Sequence, residues 1–167
     1  MALDSSARMA NVKLSLDQYV FINLQTTEGL SVDYEGVAFD ETAISQSWIQ
    51  PRLLAPISTY YRQGSGTQYG EDVALIFQIN IFVKKSGVTT TFKHYDIRDR
   101  VANYFKIGQS MSVTNYAETT VAANHLEVAR IKVREIITDL PVREDPQIYQ
   151  YSLAWEIQQT RLTGFAT

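Results

Sequence analysis

The 167 residues of this chain suffice for one domain that buries about two-thirds of its unfolded surface. Hydrophobic residues make up 45% and charged residues 20%, a globular composition that excludes intrinsic disorder. The net charge of −3 gives no electrostatic basis for binding nucleic acid or an acidic membrane. Cysteine is absent, which excludes disulfides and thiolate metal sites. We therefore expect a single domain over residues 1–167.

The N-terminal region predicts a flexible tail followed by a helix. Met1–Asn11 is small and polar and has no apolar run of signal-peptide length. Ser15 and Gln18 have the spacing of a capping box, and apolar residues then recur at helical spacing. We predict a helix over Leu16–Thr27 that ends at Gly29.

Two strands and a long loop are predicted next. Leu30–Phe39 alternates with a change of phase at Gly36, which indicates a bulged strand. Ser47–Leu54 is a second strand, and Pro51 places it at a sheet edge because proline cannot donate to a ladder. Ala55–Glu71 has no period, and its length exceeds what compact domains usually leave unstructured. We interpret it as a working loop or a protruding arm.

The segment Asp72–Lys84 has the strongest pattern in the chain. One face is apolar at every second position, the pattern of a core-facing strand. The other face mixes Gln78 and Asn80 with Ile76 and Phe82. We expect this second face to need cover from a partner surface. The segment is too short and too polar to cross a bilayer, so we expect a soluble protein.

A second helix and a weaker strand follow. Thr91–Lys106 has a buried stripe at helical spacing, and Gly108 stands where a left-handed cap belongs. The predicted stripe is Ile97, Val101, Tyr104 and Phe105, with Arg98, Asp99 and Asn103 facing away. Gln109–Ala117 predicts a strand.

The C-terminal part predicts two more strands. Leu126–Ile137 changes phase, which indicates a bulge near Ala129 or Arg130. Asp139–Pro146 is a charged loop with two prolines, and Tyr149–Gln158 alternates strictly. Residues 159–167 are a C-terminal tail. The prediction is therefore an α+β fold: a mostly antiparallel or mixed sheet of about six strands, with two helices on one face.

No reaction chemistry emerges from the residues. His94 and His125 lack convergent ligands, and Gly64–Ser65–Gly66 lacks the lysine and helix of a phosphate loop. Asp40–Glu41 and Glu71–Asp72 are acidic pairs that a divalent cation could join, although such charges commonly serve solubility. We nominate no catalytic residue, cofactor or metal, and we do not expect an enzyme.

Interaction candidates are more specific, because tyrosine and arginine dominate interface hot spots. The long loop carries such residues, with folding back onto its own domain as the equal alternative. A basic row on one strand indicates cross-strand or inter-subunit salt bridges. The candidates are Arg52, Tyr60, Tyr61, Arg62, Tyr69, Ile76, Phe82, Arg130, Lys132 and Arg134.

The order of elements resembles the tail terminator proteins of long-tailed bacteriophages, the lambda minor tail protein U group. The likeness lies in FQINIFVKKSG and HYDIRDRVANYF, preceded by SWIQPRLL and followed by IYQYSLAWEIQ, and it covers about Leu16 to Gln158. The long Ala55–Glu71 loop departs from the shortest members.

The resemblance implies a hexameric ring in the virion, at the neck of the tail, assembled in the host bacterial cytoplasm. Its partners would be further copies of itself, the tail tube protein and a head-completion protein, with DNA passing through without sequence-specific binding. Ring contacts would join unlike patches of neighbouring copies. One alternative is another neck component, such as a head-closure or adaptor protein. A further alternative is a small-ligand or nucleotide module that uses the glycine-rich loop.

Overall fold

The protein is an α+β domain with one five-stranded sheet in which every neighbouring pair is antiparallel. The computed structural model describes residues 9–65, 68–86, 90–116 and 127–164, with the backbone alone over 55–65, 68–71 and 159–164. The strands are β1 (Ser47–Ser65), β2 (Gln68–Lys84), β3 (Ser110–Thr114), β4 (Glu127–Glu144) and β5 (Ile148–Gly164). Their order across the sheet is β1-β2-β5-β4-β3. The fold class is thus confirmed, with five strands where about six were expected.

Two helices cover one face of the sheet, which we call the helix face. They are α1 (Met9–Val20), continued by a π-helical segment (Phe21–Thr27), and α2 (Lys93–Ala102). Phe105, just beyond α2, lies at the centre of the core, because its ring centroid is 5.4 Å from Phe77 and 4.8 Å from Trp155. The predicted stripe is confirmed for Ile97, Val101 and Phe105, which are buried, whereas Tyr104 is half-buried against the core. Among the described residues no helix is long and apolar enough to span a bilayer.

The start of α1 differs from the prediction. Ser15 does not cap the helix but lies inside it, where its Oγ accepts a hydrogen bond from the backbone N–H of Thr114 at 3.1 Å. Asn11, predicted to be in the tail, is buried in α1 and donates to Asn115 Oδ1 at 3.2 Å. These polar side chains dock α1 on β3, so the helix begins before the apolar period does. Met1–Arg8 lies outside the described residues.

The two glycines predicted to end helices both have a left-handed backbone. Gly29 follows the π-helical segment with φ of 66°, and Gly108 follows the turn after α2 with φ of 88°. Both values lie in the left-handed region that side chains with a Cβ avoid. The predicted end at Gly29 is confirmed. The predicted end at Gly108 is wrong, because only Lys93–Ala102 of the predicted Thr91–Lys106 is helical and the helix ends well before Gly108.

Three predictions about strands and loops are wrong. Leu30–Phe39 is not a strand, because Val32 alone forms a bridge, parallel to Ile49. Ala55–Glu71 is not a loop, since β1 and β2 remain paired up to Ser65 and Gln68. The predicted loop at Asp139–Pro146 belongs to β4 through Glu144.

The predicted C-terminal tail is also partly a strand, because β5 continues through Gly164, where it pairs with Gln68. Residues 165–167 lie outside the described part of the chain. The missed strand segments share a cause. None of them shows a sustained alternation of apolar and polar residues, which is the signal by which a strand is predicted.

Other predictions about the sheet are confirmed. β1 is an edge strand, which accommodates Pro51. The register of β3 and β4 shifts between the pairs Val113–Ala129 and Thr114–Glu127. Val128 and Ala129 are consequently both buried, as a bulge near Ala129 requires.

Candidate interaction surfaces

The sheet face opposite the helices is polar at its centre. Gln78 Nε2 donates to Asn80 Oδ1 at 2.7 Å and to Ser152 Oγ at 3.1 Å, which joins β2 to β5. Asn80 Nδ2 donates to Gln50 Oε1 at 3.4 Å, which joins β2 to β1. Asn80 and Ser152 are buried, at 8% and 3% exposure. We call this set of hydrogen-bonded side chains the amide network.

The amide network continues into the segment that precedes β1. Gln50 Nε2 donates to Asp33 Oδ2 at 2.7 Å, and Arg52 forms an ion pair with the same oxygen at 3.2 Å. Arg52 also donates to the backbone oxygens of Asp33 and Pro51. Arg52, predicted to contact a partner, is therefore engaged within its own chain. The expectation that this whole face needs cover is wrong at its centre, because the polar groups there satisfy one another.

Phe82 and Ile76 lie at the margins of the amide network. Phe82 stacks on Trp48 with ring centroids 5.1 Å apart, and Trp48 is buried beneath it. Phe39 adds a third ring, 6.1 Å from Trp48. These rings line a trough of about 540 Å³ with Arg143 and Asp145 on its far wall. Ile76 is half-buried on the same sheet face.

The outer side of α1 and its π-helical extension carries exposed apolar side chains. Leu14 is 48%, Phe21 46% and Ile22 49% exposed, and Met9 is exposed at the start of the helix. The opposite side of the helix holds the core residues Val12, Leu16 and Leu24. We call the four exposed residues the helix stripe. A helix that is apolar on both sides has more apolar surface than its own domain covers.

The second half of β4, Arg134–Glu144, is exposed and unpaired on one side, and we call it the edge segment. β3 pairs with β4 only as far as Lys132, and Gly108 and Gln109 bond the backbone of Val133. Beyond that point, in the described part of the chain, β4 pairs with β5 alone. Its exposed apolar side chains are Ile136, Ile137, Leu140 and Val142. An exposed strand edge with apolar side chains is a template for another strand.

One contact fixes the middle of the edge segment to the domain. Arg98 on α2 bonds both carboxylate oxygens of Asp139, one of them from Nε at 3.0 Å. Tyr151 donates to the same carboxylate at 2.6 Å. Arg98 is the main cause that holds the pKa of Asp139 below its usual value. Burial and the Asp139 hydrogen bond raise the pKa of Tyr151 to about 12. Arg98, predicted to face away from the core, thus anchors α2 to β4.

The basic row of β4 is divided in the structure. Arg130 pairs with Glu127 of its own strand at 2.5 Å, and this hydrogen bond lowers the pKa of Glu127. Lys132 and Arg134 line a shallow depression of about 400 Å³ together with Glu135 and Glu156. The depression has balanced charges, so it offers no basic patch.

Several predicted site residues lie where the side chains are not described. Tyr60, Tyr61 and Arg62 are in β1 and Tyr69 is in β2, with only their backbones described. Gly64 and Ser65 end β1, and Gly66 lies outside the described residues. The hypothesis that these residues form an interface stays a prediction.

Two of the residues weighed for chemistry have structural surroundings in the described part of the chain. His94 packs against Tyr149 and Tyr95, with ring centroids at 4.1 Å and 4.2 Å, and burial lowers its pKa. Asp40 caps the short turn Glu41–Ala43 by accepting from the N–H of Thr42. Over the described ranges no three acidic or histidine side chains form a group that could hold a metal ion. His125 and the side chain of Glu71 fall outside these ranges.

Sequence reasoning missed the helix stripe and the edge segment. The stripe was hidden because its apolar residues stand beside those of the buried side. The edge segment was divided between a strand that ended at Ile137 and a loop that began at Asp139. Leu140 and Val142 stand two residues apart, and this spacing was the signal for a continued strand.

Comparison with known proteins identifies a fold. No protein-family model matches the chain, and no curated protein matches it. By contrast, 11 chains of solved structures resemble it. One of them superposes with a TM-score of 0.58 at 13% identity, over 96% of this chain and 99% of that one. At this identity the likeness concerns the fold.

Proposed function

We propose that this protein is a structural component of a phage virion, a tail terminator that forms a ring on the end of the tail tube. The observation that carries the proposal is the pair of unlike apolar surfaces, the helix stripe and the edge segment. Four large side chains of each are exposed to between 37% and 54%. Exposed apolar side chains that gather on one helix and along one strand edge are typical of surfaces that contact another molecule.

Two unlike patches are what a ring requires. In a head-to-tail contact, one patch of each copy meets the other patch of its neighbour, and the assembly closes when the rotation per copy divides a full turn. The tail terminator resemblance supports six copies. The amide network is satisfied within the chain, so it does not compete for these contacts.

The ring acts by binding the end of the tube and blocking the addition of further subunits. Seated on the last layer of the tube, it occupies the surface to which the next layer would add, and it presents a new surface to a head-completion protein. DNA passes through its opening without base-specific contacts. We place it at the neck of the virion, after assembly in the bacterial cytoplasm.

Electron microscopy of tail tubes polymerised with and without the purified protein tests this function. We expect tubes of limited length with a particle at one end. The charge-insertion variant Leu14→Arg should abolish capping, because it places a charge in the helix stripe. Leu14 is 48% exposed, so the folded monomer should tolerate the change.

Val37→Arg is the matched control, because Val37 is an apolar residue at 63% exposure that belongs to neither patch. It should cap tubes as the wild type does. Tubes that grow without limit in the presence of wild-type protein, with no terminal particle, would refute the function.

A further inference from the structure

The edge segment has a sequence that is complementary to itself. It is REIITDLPVRE, and it places Arg and Glu at one end and Arg and Glu at the other. When two copies run antiparallel with Asp139 opposite Asp139, Glu135 stands opposite Arg143 and Arg134 opposite Glu144. Opposite charges directly across two strands are stabilising. The two-fold axis produces each of these pairs twice.

Apolar residues occupy the positions between the charges. In the same register Ile136 stands opposite Val142, and Ile137 opposite Pro141. Ile136 is 47%, Ile137 45% and Val142 54% exposed in the single chain. The contact would remove these side chains from water, at roughly 25 cal/mol per Å² of apolar surface buried.

The register also agrees about sheet faces. Glu135 pairs with Glu156 of β5, and Arg143 pairs with Gln150. Glu156 and Gln150 stand an even number of residues apart on β5, so they share a face. Glu135 and Arg143 therefore project on the same side of β4, as a cross-strand pair requires.

The centre of the segment presents no charge repulsion. Two Asp139 residues would meet at the axis, but each carboxylate is already bonded by Arg98 and Tyr151 of its own chain. The like charges that the register brings together are thus neutralised before the copies meet.

The backbone of the segment makes the contact selective. The register with β5 shifts at Arg134, Ile137 and Val142, and Pro141 has no N–H to donate. Bulges and proline interrupt the backbone ladder with any strand that pairs here, so backbone hydrogen bonds alone give a weak contact. The partner must therefore be chosen by its side chains, and a second edge segment supplies them.

We propose that two copies of this chain associate through their edge segments, antiparallel about a two-fold axis at Asp139, as a reserve dimer. The dimer would store subunits that are not yet in a ring. This storage role rests on the proposed function, whereas the contact between the two edge segments does not. It covers the same strand that the ring contact uses, so dimer and ring exclude each other. The dimer would keep free subunits from aggregating or closing into rings away from a tube end.

Charge exchange tests the contact in solution, without tail tubes. Arg143→Glu places Glu opposite Glu135 twice per dimer, and we expect the dimer dissociation constant to rise about tenfold or more. The double variant Glu135→Arg with Arg143→Glu reverses both partners and should restore the wild-type constant. Sedimentation equilibrium over a range of concentrations measures it.

Arg130→Glu is the matched control. Arg130 and Arg143 both lie on β4, both side chains are 69% exposed, and each has one carboxylate partner within its own chain. Arg130 lies outside the edge segment, so its reversal should leave the dimer unchanged.

Three results would overturn the dimer. They are a wild type that is monomeric at every concentration, an Arg143→Glu variant that associates as tightly as the wild type, and a double variant that stays dissociated. None of them depends on capping, so failure of the dimer and failure of the ring function can be told apart.

Discussion

The two faces of the sheet are stabilised in different ways although they are built from the same strands. On the helix face, Phe77 and Trp155 lie beneath Phe105 in an apolar cluster. On the opposite face, one residue along, Gln78 and Asn80 bond each other and their neighbours. On a sheet face that no helix covers, polar side chains can therefore satisfy one another by hydrogen bonds. Absence of a covering layer does not by itself indicate a docking surface.

The helix face should be the more sensitive to loss of a side chain. Trp155 is 1% exposed, and its replacement by Ala leaves a cavity beside Phe105 that the sheet cannot close. We expect Trp155→Ala to lower the free energy of unfolding by about 3–5 kcal/mol. Urea denaturation measures the change. The neighbouring variant Glu156→Ala, on the opposite face, should alter stability by no more than about 0.5 kcal/mol.

The opposite face should respond to polarity rather than to volume. Asn80→Leu keeps the size of the side chain but leaves the amides of Gln78 and Gln50 without that partner. We expect a loss of about 1–3 kcal/mol, because buried polar groups lose their hydrogen bonds. If this face were an ordinary apolar surface, the added leucine would instead stabilise the protein. Chemical denaturation of the two proteins side by side gives the sign.

The smallest effect concerns Asp139, at the margin of the helix face. Arg98 lowers the pKa of Asp139 in the folded protein below the unfolded pKa near 3.8. The ionised carboxylate therefore adds to the free energy of unfolding above pH 3.8, and this stabilisation is lost as pH falls through the folded pKa. We expect Asp139→Asn to cost about 1 kcal/mol at neutral pH, because both side chains keep part of their exposure. The difference between wild type and variant in thermal melts should shrink as pH falls below 3.8. A difference that persists unchanged there would contradict the charge-based explanation.

The sequence predicted those elements whose period reflects burial. β2, the first part of β5 and α2 each have one side in the core, and that side imposes a regular apolar pattern. The same logic failed for the strand segments within 55–71, 139–144 and 159–164, whose sequences show no sustained period of two. It also failed for Leu30–Phe39, which alternates without pairing as a strand.

For the candidate interaction residues, the sequence likewise predicted only part of what the structure shows. Composition singled out arginine and tyrosine, but whether such a side chain is available depends on tertiary partners. Arg52 is held by Asp33, and Arg130 is held by Glu127. The exposed apolar residues of β4 follow from where β3 stops pairing. The residue at which β3 stops pairing with β4 cannot be read from a single sequence, because strand pairing joins residues that are distant in the chain.

The position of β5 has a consequence for synthesis. β5 lies between β2 and β4 in the sheet, yet it follows both of them in the chain. As the polypeptide leaves the ribosome at about 5–20 residues per second, the β1–β2 hairpin can close early, while β4 has no strand to join it to that hairpin. The sheet is thus completed only when β5, the last strand to be synthesised, pairs with both β2 and β4. A translational stall before Ile148 would release an aggregation-prone fragment and no partial domain.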